Sequence, residues 1–239
     1  MNDAKKLTVA VIGLGFGASF AHIFAAHPAV ERVVLVDKSE ARMDAYLKRK
    51  SRVWERAKVD LYPSFDAVLS DASIDAVAVF TGIPSHAKLV IDTLNAGKHC
   101  ACAVPMATLL EDLQAIVDTA RRSGKNYMMM ETDVYGGMAF KAREMLANGE
   151  FGKIQHMRGV HYQPMDDGWW NTEITSYWQG LPPMWYATHA IAPLYDIAGS
   201  RGAWTIVMGA AALSLLLNLV LVRVDRRDYP KLYAAEKAD

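Results

Sequence analysis

Five short segments of this 239-residue chain are apolar almost throughout instead of alternating with polar residues: LTVAVI (7–12), RVVLV (32–36), DAVAVF (75–80), HCACAV (99–104) and NYMMM (126–130). A strand that carries apolar residues on both faces has to be covered on both, which is the condition of a parallel sheet with helices packed above and below it. The sequence supplies those helices between the strands. One runs from Gly17 to His27 and is stopped by Pro28; a charged one runs from Ser39 to about Lys50, and a short one from Ser64 to Asp71. Pro84 to Ala96 has proline in its first turn and Gly97 at its end, Thr108 to Ser123 is closed by Gly124, and Gly137 to Asn148 completes the series. Strands alternating with helices predict an α/β fold built on a doubly wound parallel sheet.

The turn after the first strand reads VIGLGFGAS, with Gly13, Gly15 and Ala18 at the spacing G-x-G-x-x-[GA]. In such a turn the first glycine permits the tight bend, the second lets the backbone approach a pyrophosphate, and the small third residue permits close helix–strand packing. The helix that follows presents unpaired N–H groups to the phosphates. Gly13, Gly15, Phe16 and Gly17 are therefore predicted to border a dinucleotide. Asp37, at the end of the second strand, is suited to accept hydrogen bonds from a ribose 2′-hydroxyl and to repel a 2′-phosphate, which favours NAD over NADP. Two alternatives stay open: Asp37 caps the following helix, or Lys38 and Arg42 accommodate the extra phosphate. Thr81, His86 and Pro105 follow later strands, and the carboxyl ends of parallel strands line the ligand crevice. They complete the predicted cofactor set, with His86 able instead to bond its own turn.

Beyond residue 150 the alternation stops. Ile154 to Tyr162 is expected to form one more strand, leading into a stretch with Trp169, Trp170, Tyr177, Trp178, Trp185 and Tyr186. The expected organisation is a nucleotide-binding domain over 1–150, an incomplete α/β substrate domain over 151–200, and an apolar helix with a charged tail over 201–239. Acidic and basic residues balance, 26 against 26, so no global field points to nucleic acid. Cys100 and Cys102 are expected on opposite faces of their strand and unpaired, in a reducing, cytoplasmic setting. No His/Cys/Asp cluster has metal-ligand spacing, so no metal is predicted.

The segments VAVIGLGFGAS, DAVAVFTGIPSHAKLVIDTLNAGKHCACAVPMA and LANGEFGKI resemble the Gfo/Idh/MocA superfamily of NAD(P)-dependent sugar oxidoreductases, over residues 7 to about 199. The resemblance implies a Rossmann domain, a second α/β domain with a mostly antiparallel sheet, and packing into homo-oligomers. It also implies hydride transfer between NAD and a sugar or polyol hydroxyl. The chain departs from the superfamily's Glu-Lys-Pro motif, with Ala103, Val104 and Pro105 at those positions, and Trp185 stands where many members carry Asp before a catalytic His. Val-Pro at this point, Tyr127, Met128, Met129 and Glu131, and then Tyr186 and His189, resemble the NAD-dependent glycosidases of the same superfamily. The alternative this implies is transient oxidation at the sugar C3, elimination of the glycosidic bond and net hydrolysis. A third reading is a non-catalytic nucleotide-binding remnant.

For either reaction His189 is the candidate base, because imidazole changes charge near neutral pH. Tyr186 or Tyr135 is the candidate for a second proton, and Glu131 for orienting His189, binding sugar hydroxyls or capping the turn after it. His161 and Tyr162 lie on the expected strand, where period-two alternation lets only one of them face a substrate.

The C-terminal run GAWTIVMGAAALSLLLNLVLV contains twenty uncharged residues, Ala203 to Val222, enough for a helix to cross about 30 Å of hydrocarbon. Membrane contact through 203–222 is the expectation from hydropathy. Arg223, Arg226, Arg227 and Lys231 after it set its charge bias against a cytoplasmic body, so a fused or frame-shifted end is the accompanying expectation.

Overall fold

The structure is a computed structural model that describes residues 5–48, 57–162 and 183–198. The chain divides into two compact units, the first ending at Met130 and the second beginning at Glu131.

The first unit is a six-stranded sheet of parallel neighbours in the order β3-β2-β1-β4-β5-β6. Its strands are β1 (Leu7–Ile12), β2 (Val30–Val36), β3 (Lys58–Leu61), β4 (Ala76–Val79), β5 (His99–Ala103) and β6 (Tyr127–Met130). Its helices are α1 (Ala18–Ala26), α2 (Glu40–Lys48), α3 (Phe65–Ser70), α4 (His86–Asn95) and α5 (Leu110–Ser123). Successive strand residues point to opposite sides, and two buried clusters result. Val9, Val11, Val33, Leu35 and Ala78 pack with Ala21 and Ala25 of α1 and with Met43 and Tyr46 of α2. Ala10, Ile12, Val34, Val36, Val77 and Val79 pack with Val68, Val90, Leu94 and Ile116 from α3, α4 and α5. Both faces are covered, as the unbroken apolar strands require.

Two expectations are corrected here, and one strand appears that none foresaw. Lys58–Leu61 is a strand that no apolar pattern announced: it is short and polar, and it pairs only with β2 at the sheet edge. Ile154 to Tyr162 is not a strand among the described residues, because it has no neighbour there to complete a hydrogen-bond ladder. Cys100 and Cys102 share one face of β5, since positions two apart repeat the pleat; both lie in the same cluster as free thiols. The apolar run 203–222 and the tryptophans at 169, 170 and 178 lie outside the described residues. Among the described residues no helix is long and apolar enough to cross a membrane.

In the second unit Glu131 leads into a 3-10 turn (Thr132–Tyr135), followed by α6 (Gly137–Ala147), a second 3-10 turn (Pro183–Tyr186) and helix α7 over 188–198. Arg143 of α6 donates to the Val134 carbonyl at 3.1 Å, pairs with Asp196 of α7 and lies over the Phe140 ring, tying turn and helices together.

Candidate functional site

The strand order runs outward from β1 to β3, then crosses back to β4 and outward again to β6. The carboxyl ends of β1 and β4 flank the resulting reversal point, where open parallel sheets bind ligands. The glycine turn sits there because its backbone has nowhere else to go. Gly13 adopts φ +90°, and a Cβ on it would lie 2.9 Å from the Phe80 carbonyl oxygen. A Cβ on Gly17 would lie 2.2 Å from the Gly13 oxygen and 2.9 Å from the Phe80 ring. Gly15 differs, since a Cβ there would meet nothing within 4 Å. The protein itself gives no steric reason for glycine at 15, so its missing side chain leaves room for a ligand's approach. The position that packing requires to be small is Gly17, one residue before the Ala18 of the sequence motif. Phe16 stands exposed beside the turn, edge-on to Phe20 at 5.1 Å.

Asp37 has a nearly buried side chain at the end of β2. Its Oδ2 accepts the Leu14 N–H at 2.6 Å and its Oδ1 the Ser39 N–H at 2.9 Å, while Arg42 lies 3.1 Å from Oδ1. The carboxylate thus braces the glycine turn and the start of α2 together.

His86 is only 1 % exposed. Its Nδ1 lies 2.8 Å from the Pro105 carbonyl and its Nε2 3.0 Å from that of Thr81, so the ring clips the loop after β4 to the loop after β5. Burial pushes its pKa down against the opposing pull of the two carbonyls. The ring therefore serves the crevice through the loops that it holds, and the Thr81 hydroxyl bonds Ser85 at 2.7 Å.

The chemistry-bearing cluster lies wholly in the second unit. Glu131 is 4 % exposed, and its Oε1 sits 2.6 Å from His189 Nδ1 and accepts the Asp133 N–H at 3.0 Å. It therefore orients an imidazole and caps the following turn at once. The other imidazole nitrogen, Nε2, is 3.1 Å from the Tyr186 hydroxyl. A carboxylate, an imidazole and a phenol thus form one continuous hydrogen-bonded chain. Such a chain can take up a proton at one end and restore it at the other.

His161 joins this cluster. Its ring centroid is 4.6 Å from that of His189, and its Nδ1 is 3.8 Å from Asp133 Oδ2. Gly159 makes this possible, because a Cβ on it would fall 1.9 Å from the Ala190 oxygen. The segment carrying His161 therefore runs against the first turn of α7. Of the pair His161 and Tyr162, the histidine faces the cluster and the tyrosine is 84 % exposed. Tyr135 is 59 % exposed and takes no part in the chain. Asp133 is the member that sequence reasoning missed. No periodicity marks it, and it acquires its place from a single 3-10 turn.

Residues 7–131 match the family model GFO_IDH_MocA, described as an oxidoreductase family with an NAD-binding Rossmann fold. A glycosyl hydrolase family 109 protein of Shewanella sp. (strain W3-18-1) is 30 % identical over 206 residues, covering 80 % of this chain and 44 % of that protein. The alpha-N-acetylgalactosaminidase of Shewanella oneidensis is likewise 30 % identical, over 207 residues, with the same coverage of 80 % and 44 %. The chain thus spans less than half the length of these curated relatives. A crystal structure of an NAD-binding protein from Listeria innocua aligns with a TM-score of 0.64 at 26 % identity, over 81 % of this chain and 53 % of that one.

Proposed function

The chain belongs to the Gfo/Idh/MocA oxidoreductase family with its NAD-binding Rossmann fold, and from that premise we propose that it serves an NAD-dependent glycosidase. The observation that carries this reading is the Glu131–His189–Tyr186 chain, together with Val104 in the place of the lysine that the family's ordinary dehydrogenases use. The names of the relatives support it.

The residues of the first unit fit a dinucleotide: a glycine turn at the reversal point, open space at Gly15 and a braced acidic group at Asp37. When bound, the dinucleotide supplies transient oxidation of a sugar hydroxyl and later return of the hydride. The chain's own residues handle the protons. His189, held in one orientation by Glu131 at Nδ1, accepts the hydroxyl proton at Nε2, the nitrogen that faces Tyr186. Tyr186, in contact with the same ring, exchanges the second proton, the one lost from the carbon next to the oxidised centre. Asp37 favours NAD over NADP by meeting the 2′-hydroxyl.

A second reading, net oxidation of a sugar or polyol hydroxyl, is favoured by the family description itself. One paired assay separates the two. The full chain with NAD and an aryl N-acetylgalactosaminide is expected to release the aryl group without NADH accumulating. Steady NADH formation from free sugars, without cleavage, would establish the second reading instead. Neither activity in a chain that binds NAD would leave it a nucleotide-binding remnant.

A further inference from the structure

Between Gly15 and Gly17 the glycine turn carries a single side chain, that of Phe16. It is 59 % exposed, and among the described residues of the first unit no other Phe, Tyr or Trp side chain is exposed. Its backbone is fixed, because the Phe16 carbonyl accepts the Ser19 N–H at 3.1 Å where α1 begins. Its ring is fixed as well. Phe20 and the buried Phe80 stack at 4.6 Å, and the Phe16 ring stands across both, at 5.1 Å and 6.0 Å with interplanar angles of 65° and 70°. Aromatic rings favour such edge-to-face contacts. Gly17 brings the turn onto this pair, since a Cβ there would lie 2.9 Å from the Phe80 ring. A large ring is thus held firmly and still left open at the mouth of the ligand crevice.

The place of Phe16 along the sheet tells which part of a ligand it meets. β1 lies between β2 and β4. Asp37 holds the turn from the β2 side through the Leu14 N–H at 2.6 Å, whereas Phe80, on which Phe16 rests, follows β4. A dinucleotide lying across a reversal point sets the ribose that the acidic residue recognises over the β2 half and its other nucleotide over the β4 half. On that side the pyrophosphate is charged and the ribose is covered in hydroxyls, so neither matches an apolar ring. The nicotinamide does: it is planar and unsaturated, and in its oxidised form it carries a positive charge, which an aromatic face attracts.

We propose that Phe16 is the positioning residue for the nicotinamide ring of NAD, packing against it and holding its orientation for hydride transfer. Such packing covers part of the ring and restricts its rotation, which is what a fixed reacting geometry requires. The proposal rests on the dinucleotide reading of the first unit, and it holds for either reaction considered for the second.

The test compares two ligands on the full chain. ADP-ribose has the adenosine, the pyrophosphate and the second ribose of NAD but lacks the nicotinamide. Calorimetric titration is expected to show Phe16→Ala weakening NAD by about tenfold, with ADP-ribose affinity kept within about twofold of the parent. Phe16→Leu, which keeps an apolar surface, is expected to fall between parent and Phe16→Ala for NAD. Melting temperatures without ligand establish that both variants are folded. Equal losses for the two ligands would make Phe16 a brace of the turn alone and overturn the proposal. So would NAD bound by Phe16→Ala as tightly as by the parent. A parent chain that binds neither ligand would overturn the dinucleotide reading and the proposal with it, and that failure is visible before any variant is made.

Discussion

Gly15 and Gly17 sit two residues apart in one turn, and the same change to alanine should do opposite things at each. At Gly17 the added methyl carbon would lie 2.2 Å from the Gly13 carbonyl oxygen, 2.9 Å from Phe80 Cδ2 and 3.0 Å from Phe80 Cβ. Phe80 is itself buried and stacked on Phe20 at 4.6 Å, so neither neighbour can swing aside cheaply. Overpacking of a close-packed site costs about 1–3 kcal/mol, and a contact with backbone belongs at the upper end, about 3 kcal/mol. For a chain of this size that lowers the melting temperature by about 6–12 °C. At Gly15 nothing lies within 4 Å of the added carbon and φ is not positive. Alanine there restricts the unfolded chain and should leave stability unchanged or raise it by about 0.4–1 kcal/mol. Its effect falls on the cofactor. A methyl group standing between backbone and pyrophosphate removes a charge-assisted hydrogen bond of about 1.5–3 kcal/mol, weakening NAD binding about 10- to 100-fold. Thermal melts with and without NAD, with calorimetric titration, separate the outcomes. Gly15→Ala that melts as early as Gly17→Ala, or that binds NAD as tightly as the parent, would refute the assignment of these two glycines.

Other consequences follow from the same geometry. Asp37→Ser removes the acceptor for Leu14 N–H and the partner of Arg42, so NAD affinity should fall while NADP affinity rises; titration of both cofactors checks this, and a parent chain that binds NADP as tightly as NAD would remove the role of Asp37. His86→Phe leaves the carbonyl that accepts the ring N–H, Pro105 or Thr81 according to the tautomer, without its donor and should cost about 1–3 kcal/mol in denaturant unfolding. Because burial lowers the pKa of His86 in the folded chain, the unfolded chain takes up the proton first once pH falls below about 6.5. Its contribution is therefore present above that pH and is lost on acidification, and His86→Phe should flatten the stability profile between about pH 7 and 5. Burial pushes the Cys100 thiol up to about 12 and Cys102 higher still, so neither should react with a disulfide reagent at pH 8 until the chain is unfolded.

The parallel sheet was legible in the chain because its cause is local. Unbroken apolar segments must be covered on both sides, and the glycine turn, the strand before it and the acidic residue after the next strand stand at short, regular separations. Where a segment owed its form to a neighbour, the pattern failed. Lys58–Leu61 is a strand only because the edge of β2 offers it a ladder, while Ile154 to Tyr162 has the composition of a strand and, among the described residues, no ladder to join. Motif spacing likewise put the third small position at Ala18, where only the packing of the turn against Phe80 shows that Gly17 is the residue that cannot grow.

The candidate cluster divides in the same way. Histidine, tyrosine and glutamate announced themselves as residue types able to move protons, so Glu131, Tyr186 and His189 could be named from the sequence. Their joining could not. Glu131 and His189 are separated by 58 positions, and they meet because a 3-10 turn, a glycine that lets one segment pass against α7, and the Arg143 clasp bring three stretches of chain together. Periodicity reports which face of an element is apolar. Hydrogen bonds of 2.6 to 3.1 Å between side chains of different elements depend on how those elements are packed, so Asp133, His161 and the bracing role of Asp37 emerge only in three dimensions.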